Sequence, residues 1–415
     1  MTKIQIPYGT KQIDLEIEGA ELLDAEDVDS RGTTASDNMA VIRDTLRKPL
    51  GTKRLREIVA TKNPKSIVIV VDDHTRDAPT EKMLDALTEE ISDKYQITLL
   101  VACGTHEPPT EEELRRIFGK YVDKYTIKIH DCDAKDLIYV GTTSRGTPVR
   151  LNRSYVDADI KILTGDITLH YYAGFGGGRK SILPGISSRE TIQKNHALLV
   201  DEYASTANLE QNPVHLDMSE AASFSPPDFV LNIVAAGNGD VVYAYAGELN
   251  QVFRKGVEVA KDLFCHEVPD LFDILIVSAG GFPKDRNLYQ ATKAIENSYR
   301  VVAPGGKLIF VAECREGIGD KYFEDWMDEY TTSEAAEAAI KTNFVLGGHK
   351  AYYMRKVMNL LWLSIVSELD THKLTTWQIK AYKSLGDALA GVKKDKVKIG
   401  IVEKGVDTLL VPARR

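Results

Sequence analysis

Short runs of β-branched residues alternate with longer amphipathic segments along most of this 415-residue chain. Several runs, such as residues 66–71, are apolar at nearly every position, which is typical of strands covered by helices on both faces. The predicted strands are residues 66–71, 96–102, 125–130, 160–164, 229–234, 272–277, 307–311 and 396–402. Alternation of this kind predicts an α/β fold with mostly parallel sheets.

Amphipathic segments between these strands predict helices. One opens with the capping box Thr110-Glu-Glu-Glu113, in which the threonine and the last glutamate bond each other's backbone N–H groups. The other predicted helices are residues 81–92, 188–200, 252–263, 287–302, 333–342 and 378–390, and the apolar segment 357–366 is also predicted to be helical.

A polar, proline-bearing stretch at residues 265–272 precedes a new strand–loop–helix unit. We therefore predict two α/β domains, residues 1–267 and residues 268–402. The last segment, residues 403–415, begins with a Lys404-Gly405 turn and continues as a strand, and it is a candidate to return to the first domain.

Charge and cysteine content exclude several classes of protein. There are 61 acidic and 52 Lys or Arg residues, giving a net charge of −9, and no basic cluster of the kind that binds nucleic acid or anionic membranes. Apolar runs are far shorter than the roughly 18 residues of a membrane span. The four cysteines form no CxxC pair, which argues against a disulfide framework. We expect a reduced, cytoplasmic protein whose partner is a small molecule.

Polar and glycine residues collect after four of the predicted strands, where open α/β sheets bind ligands. The loops are residues 72–79, 103–109, 165–181 and 278–290. Two of them contain His106 and His170, each in a glycine-flanked segment. Imidazole moves protons well at neutral pH, so the two histidines suggest an acid/base pair on opposite sides of one substrate. Either one alone is equally well explained as a structural loop histidine.

The third loop ends in Gly174-Phe-Gly-Gly-Gly-Arg-Lys-Ser181. Gly176, Gly177 and Gly178 predict a phosphate cradle of backbone N–H groups beside Lys180. Arg179 replaces the glycine that a P-loop or a dinucleotide fingerprint needs, so the phosphate would belong to another kind of ligand. A flexible turn with an exposed lysine is the alternative.

Tyr289, Gln290 and Lys293 follow the fourth strand and share one face of the predicted helix. A lysine beside a glutamine amide suits a carboxylate or a hydroxyl, whereas an ordinary solvated helix face is the alternative. His196 lies in the predicted helix 188–200, where a single histidine is more often structural than functional.

At these residues the chain resembles the nickel-dependent lactate racemase family. The segments that carry the resemblance are Asp73-His-Thr-Arg76, Gly104-Thr-His106, His170-Tyr-Tyr-Ala-Gly-Phe-Gly-Gly-Gly-Arg-Lys-Ser-Ile-Leu-Pro-Gly185, Asn195-His196, Asn212-Pro213 and Asn287-Leu-Tyr-Gln290. They span most of the chain, and the long segment from His170 to Gly185 is the most specific.

The resemblance implies a nickel pincer nucleotide, a pyridinium-3,5-bisthiocarboxylic acid mononucleotide, attached covalently to Lys180. His196 would be the nickel ligand, and His106 and His170 would be the catalytic pair. Asp73 would lie near the substrate and would bind the cofactor, together with Gly176, Gly177 and Gly178. Arg76 would hold the substrate together with Tyr289, Gln290 and Lys293. The resemblance also implies an active site in the cleft between two α/β domains and transient contact with cofactor-synthesis enzymes.

The resulting hypothesis is an isomerase that racemises a small 2-hydroxy acid, with L- and D-lactate as the first choice. Hydride would pass to and from the cofactor while the histidines exchange the hydroxyl proton. A racemase or epimerase of another 2-hydroxy acid, and a nucleotide-binding phosphotransferase built on residues 174–181, are the alternatives.

Overall fold

The computed structural model describes residues 2–23, 38–76, 78–92, 94–235, 240–390 and 397–413. The chain divides into two compact units. One is residues 27–262, and the other combines residues 1–26 with residues 263–415. Among the described residues, no helix has both the length and the apolar character needed to cross a membrane.

The strands in chain order are β1 (Thr2–Tyr8), β2 (Lys11–Ile17), β3 (Ala20–Leu22), β4 (Ser66–Asp72), β5 (Gln96–Ala102), β6 (Thr126–Ile129), β7 (Ile138–Thr142), β8 (Pro148–Leu151), β9 (Ile160–Asp166), β10 (Leu169–His170), β11 (Gly174–Phe175), β12 (Phe229–Ala235), β13 (Val241–Gly247), β14 (Cys265–Val268), β15 (Phe272–Ser278), β16 (Val302–Val311), β17 (Trp362–Val366), β18 (Lys380–Tyr382), β19 (Ile399–Val402) and β20 (Leu409–Pro412).

The helices are α1 (Asn38–Arg47), α2 (Leu55–Lys62), α3 (Thr80–Glu90), α4 (Glu111–Phe118), α5 (Arg153–Val156), α6 (Arg189–His196), α7 (Pro213–Ser223), α8 (Leu249–Phe264), α9 (Leu288–Ser298), α10 (Lys321–Glu329), α11 (Ser333–Thr342), α12 (Gly348–Leu360), α13 (Thr371–Thr376) and α14 (Leu385–Leu389).

Residues 27–262 are built on a six-stranded sheet of order β13-β12-β9-β4-β5-β6. All neighbours are parallel except the edge strand β13, which runs antiparallel to β12. Residues 67–71 of β4 are buried without a break, as expected for a central strand covered on both faces. This confirms the predicted α/β class and its mostly parallel sheets.

The second unit is built on another six-stranded sheet of order β18-β17-β16-β15-β19-β3, in which every pair is parallel. The N-terminal hairpin β1–β2 places Ile4, Ile6 and Ile17 in one hydrophobic core with Ile276 and Ile401. Burying each such side chain stabilises the folded state by roughly 1.5–3 kcal/mol, which holds the hairpin to this sheet.

The observed division differs from the predicted domains of residues 1–267 and 268–402. The break lies close to the predicted position, but residues 1–26 belong with residues 263–415, because β3 pairs with β19. The proline-bearing stretch at which the break was predicted contains β14, and β20 of the final segment pairs with β14. The segment 403–415 therefore stays in the unit of residues 263–415 instead of returning to the first domain.

Two predicted helices were wrong in part. Residues 357–366 contain the end of α12 and then the buried strand β17, and residues 378–390 contain β18 followed by the short helix α14. Both strands are specified by pairing, β17 with β16 and β18 with β17, and a short apolar run alone does not distinguish a buried strand from a helix.

Candidate active site

Three of the predicted functional loops meet at one edge of the sheet in residues 27–262. β4, β5 and β9 are neighbours and run parallel, so their carboxyl ends point to the same side. Asp73 and Arg76 follow β4, His106 follows β5, and His170 and Lys180 follow β9.

Asp73 and His106 form a hydrogen-bonded pair. The Nδ1 atom of His106 lies 2.6 Å from Oδ2 of Asp73, while the other carboxylate oxygen accepts hydrogen bonds from the backbone N–H and the hydroxyl of Thr75. The carboxylate is nearly inaccessible, whereas the imidazole is about one-third exposed (35%). The bonds to His106 and Thr75 hold the pKa of Asp73 below its usual value against the opposing effect of burial. The Asp73 carboxylate accepts a hydrogen bond from the Nδ1–H of His106. The lone pair of a neutral His106 ring is therefore on Nε2.

His170 ends the short strand β10, which pairs with β11 so that His170 lies opposite Gly174. Its Nδ1 accepts a hydrogen bond from the backbone N–H of Ala173 at 3.2 Å. A neutral ring that accepts at Nδ1 carries its proton at Nε2. The two histidines are thus fixed in opposite states, His106 with a basic Nε2 and His170 with an Nε2–H donor.

The ring of Tyr172 connects three of the predicted residues. It makes edge contacts with His170 at 4.5 Å and with His196 at 5.2 Å between ring centroids, and the Nζ atom of Lys180 lies 5.7 Å from its centroid. The Tyr172 carbonyl accepts a hydrogen bond from the side chain of Asn212, which also caps α7. One aromatic side chain therefore brings the acid/base, attachment and metal candidates together.

Arg179 holds the glycine loop from inside. Its guanidinium donates to the carbonyls of Ala173, Gly176 and Gly177 and lies 4.1 Å from the centroid of the Phe253 ring. Burial lowers the pKa of Arg179 to about 9. The residue that breaks the P-loop pattern is therefore a structural part of this loop.

The predicted phosphate cradle differs from the observed loop. The N–H of Gly176 donates to the carbonyl of Thr168, and the N–H of Gly178 donates to Asn232, so two of the three predicted anion donors are used inside the protein. A Cβ atom at Gly176, Gly177 or Gly178 would lie within 3 Å of neighbouring side chains. The glycines permit close packing, and this loop gives the phosphotransferase alternative no support.

Positive charge is concentrated around Lys180 and His170. Burial, together with the charges of Arg76 and Arg179, lowers the pKa of Lys180 well below its usual value. Burial and the charges of Lys180 and Arg76 likewise lower the pKa of His170 well below its usual value. The environment favours a neutral Lys180 amine, which is the nucleophilic form.

His196 is the last residue of α6 and is buried. Its Nδ1 lies 3.1 Å from Oδ1 of Asn195, and its ring contacts Tyr172. A buried imidazole held by a neighbouring amide is suited to metal binding.

Asp72 is a functional candidate that the sequence did not indicate. It ends β4, and the space beside Gly165 is bounded by its carboxylate and by Ser181. Burial raises the pKa of Asp72 to about 6, although the charge of Arg76 opposes this rise. Its position next to Asp73 was the available signal, but an aspartate at a strand end is common in any fold.

Tyr289, Gln290 and Lys293 lie in the other unit, on α9. Asn287 caps this helix by accepting a hydrogen bond from the Gln290 N–H. Lys350 of α12 lies 4.2 Å from the centroid of the Tyr289 ring and donates to the Tyr289 carbonyl. Burial and the charge of Lys293 lower the pKa of Lys350 well below its usual value.

Two family models and two curated proteins match most of this chain. Residues 8–207 match the family model of the lactate racemase N-terminal domain, and residues 269–410 match that of the lactate racemase C-terminal domain. The lactate racemase of Thermoanaerobacterium thermosaccharolyticum is 34% identical over 339 residues, covering 79% of this chain and 78% of that protein. The lactate racemase of Lactiplantibacillus plantarum is 31% identical over 404 residues, covering 94% of each.

Solved structures show the same fold. The lactate racemase apoprotein from T. thermosaccharolyticum superimposes with a TM-score of 0.89 at 28% identity, covering 99% of this chain and 100% of the other. A Thermotoga maritima protein gives a TM-score of 0.65 at 18% identity, covering 89% of this chain and 98% of the other, which shows the fold alone.

The fold and the matches to known proteins define an α/β isomerase. The chain belongs to the lactate racemase family. The predicted family and enzyme class are thereby confirmed.

Proposed function

We propose that this protein racemises a small 2-hydroxy acid, with lactate as the foremost substrate, and that His106 and His170 are its acid/base pair. The observation that carries the proposal is the opposite hydrogen bonding of the two rings, on Asp73 in one case and on the Ala173 N–H in the other. The lactate racemase relatives support the choice of substrate.

Racemisation needs a base while the 2-hydroxy acid is oxidised and an acid while the 2-oxo acid is reduced. His106, with its lone pair on Nε2, accepts the hydroxyl proton of one enantiomer as the Cα hydride leaves. After the planar 2-oxo acid has turned and hydride returns to its other face, the Nε2–H of His170 gives a proton to the carbonyl oxygen. The reverse reaction exchanges these roles, as microscopic reversibility requires. Asp73 stabilises the imidazolium that forms when His106 takes up a proton.

The residues present fit the nickel pincer nucleotide that the family resemblance implies. A depressed pKa makes the Lys180 amine a candidate for covalent attachment, and imidazole suits Ni(II), which assigns His196 to the metal. When bound, this group would supply the hydride acceptor that no side chain provides. The glycines 176–178 would shape the loop that presents Lys180.

Substrate binding is proposed for Arg76 in one unit and for Tyr289, Gln290 and Lys293 of α9 in the other. Guanidinium and ammonium groups hold a carboxylate through charge-assisted hydrogen bonds, and such anchoring lets the 2-oxo acid turn while it stays bound. A cytoplasmic location and transient contact with cofactor-synthesis enzymes also remain proposals.

The test begins with protein produced together with cofactor-synthesis enzymes and nickel. Intact mass should increase by one covalent adduct, peptide mapping should place that adduct on Lys180, and chiral chromatography should show L-lactate and D-lactate interconverting. Lys180→Arg keeps a long basic side chain but is a poor nucleophile, so it should carry no adduct. An adduct on another residue would refute the assignment of Lys180. Stabilisation by ATP without racemisation would instead support a phosphotransferase.

A panel of 2-hydroxy acids then tests the substrate. Interconversion of lactate enantiomers at the highest kcat/KM supports the proposal, and a higher kcat/KM for a larger side chain would assign the protein to another substrate of the same reaction class.

A further inference from the structure

Asp217 is a buried carboxylate that the proposed reaction does not use. It lies on α7, is completely inaccessible, and accepts hydrogen bonds from the hydroxyls of Thr143 and Thr147, at 2.5 and 2.9 Å, and from the Asn195 amide at 2.9 Å. The two threonines come from the β7–β8 hairpin and Asn195 from α6. Burying a charge is costly unless it is fully hydrogen-bonded, so three elements converge to hold this one carboxylate.

These contacts determine which way the Asn195 amide faces. Its Nδ2 atom donates to Oδ2 of Asp217 and to the carbonyl of Val214 at 3.1 Å. A carbonyl oxygen can only accept, and the Asp217 oxygens already accept from two hydroxyls, so a flipped amide would place oxygen against oxygen twice. The Oδ1 atom must therefore face the opposite direction, where Nδ1 of His196 lies 3.1 Å away.

The orientation of the amide in turn decides where the His196 ring carries its proton. Amide oxygen can only accept, so Nδ1 must be the protonated nitrogen, and the lone pair of the neutral ring is on Nε2. A ligating histidine whose other nitrogen donates to a fixed acceptor has its tautomer and orientation set in advance.

We propose that Asn195 is a positioning residue that holds His196 as the Nδ1–H tautomer, and that Asp217 is the anchor that fixes Asn195. The proposal deepens the proposed function, since it names Nε2 as the atom that meets the nickel. The geometry itself concerns only residues of this chain and is testable without the cofactor.

The experiment measures the tautomer by long-range ¹H–¹⁵N correlation spectra of the full chain labelled with ¹⁵N-histidine. The signals of His196 are identified by their loss in His196→Gln. We expect a single Nδ1–H pattern in the wild-type protein. An Nε2–H pattern there would overturn the proposal, whatever the variants do.

Two pairs of variants separate positioning from packing. Asn195→Leu removes the acceptor at similar volume and should give a mixture of tautomers, whereas Thr143→Val removes another hydrogen bond to Asp217 and should leave the Nδ1–H pattern intact. Asp217→Leu should produce a second tautomer. The conservative Asp217→Asn can still accept the hydrogen bond from Asn195 and should therefore give the wild-type spectrum. An unchanged pattern in Asn195→Leu would refute the positioning role.

Nickel retention connects the tautomer to the proposed function. In protein carrying the Lys180 adduct, Asn195→Leu should release nickel to a chelator about 10–100-fold more readily than Thr143→Val, as loss of a ligand-orienting partner typically does. Equal retention in both variants would overturn the link to the metal. Stoichiometric nickel in His196→Ala would instead refute the ligand assignment, and the tautomer result would stand.

Discussion

Asp73 makes different contacts through its two carboxylate oxygens. Among the described residues, Oδ2 contacts His106, and Oδ1 accepts hydrogen bonds from the N–H and hydroxyl of Thr75. The first contact affects proton transfer, whereas the second orients the carboxylate. Substitutions on either side of the carboxylate therefore separate the two roles.

Asp73→Asn should lower kcat for racemisation by about 10²-fold or more, the scale on which general acid–base catalysis contributes. The amide NH₂ introduced at this position can donate to Nδ1 of His106 and so favour the wrong tautomer. Thr75→Val, the matched control, removes one hydrogen bond to the same carboxylate and should cost much less. Steady-state assays in both directions check this, and equal losses in the two variants would contradict it.

Some of the candidate site residues could be identified from the sequence, and others could not. His106, His170 and Lys180 could be proposed as site residues because each follows a predicted strand, among glycines that mark a close approach of the backbone. Asp217 was not predictable, because the threonines that satisfy it are about 70 residues away along the chain. Asp72 carried no pattern beyond its position at a strand end.

At the scale of elements, the glycine loop depends on close packing. Gly178 has φ +55° and donates its N–H to Asn232, and a Cβ there would lie 2.9 Å from the Phe253 ring. Gly146 has a similar left-handed backbone, with φ +83°, but open space around the position of its Cβ. The two glycines share backbone strain and differ in crowding.

Gly178→Ala should therefore destabilise the unit of residues 27–262 by more than Gly146→Ala does. An alanine in the left-handed region costs roughly 1–2 kcal/mol, and overpacking adds about 1–3 kcal/mol at Gly178 only. Urea unfolding of both variants gives the comparison, and the Lys180 adduct should be lost in Gly178→Ala alone. Equal destabilisation by Gly178→Ala and Gly146→Ala would contradict the close packing around Gly178.

The elements that the sequence predicted are those with the strongest local pattern. Residues 96–102 form β5 and residues 333–342 form α11, as predicted, because each has a clear apolar period. The helix predicted over residues 378–390 was wrong in part, because these residues include β18, which has only three residues and depends on its neighbour β17. The sequence identifies the glycine loop but predicts that its N–H groups bind a ligand. They donate instead to Thr168 and Asn232, and no sequence pattern reveals these internal acceptors.

At the scale of the whole molecule, the order of segments along the chain does not match the division into units. Ala20–Leu22 pairs with a strand almost 380 residues later, so membership of the N-terminal segment depends on contacts that no local window contains. The predicted break near residue 268 lies close to the observed boundary between residues 262 and 263, because the polar and proline residues directly follow α8. Which unit receives residues 1–26 could not be predicted.

Each unit also contains a buried histidine that makes its stability depend on pH. Burial and the charges of Arg179 and Arg254 lower the pKa of His215 to about 3, and burial beside Lys350 lowers that of His349 to about 3. The unfolded chain binds a proton near pH 6.5, whereas the folded protein does not. Stability contributed by each neutral ring is therefore complete above pH 6.5 and is lost as pH falls toward 3.

In wild-type protein, acid lowers the free energy of unfolding of the unit of residues 27–262. His215→Phe should make this pH dependence less steep, by up to about 1.4 kcal/mol per pH unit between pH 6 and 4. The ring stacks on Phe253, and its buried Nδ1 has no hydrogen-bond partner, so phenylalanine suits the site. The three tryptophans, Trp326, Trp362 and Trp377, all lie in residues 263–415. Their fluorescence therefore follows the unit of His349 during urea unfolding, and that transition is the internal control.

The unfolding of residues 27–262 is the transition that circular dichroism detects and tryptophan fluorescence does not. In His215→Phe, the midpoint of this transition should become less sensitive to acid. The fluorescence transition should keep its pH dependence. A change in the fluorescence transition alone, or in neither, would contradict the assignment of proton uptake to His215.

The central claim is that His106 and His170 act on opposite faces of one substrate. Single-turnover reactions of cofactor-loaded protein, quenched in acid, measure it directly as the 2-oxo acid formed from each lactate enantiomer. In His106→Ala one enantiomer should still be oxidised and the other hardly at all, and His170→Ala should show the opposite preference, while net racemisation falls at least about 10²-fold in both. If both variants favour the same enantiomer, or both keep wild-type turnover, the two histidines are not paired across the substrate.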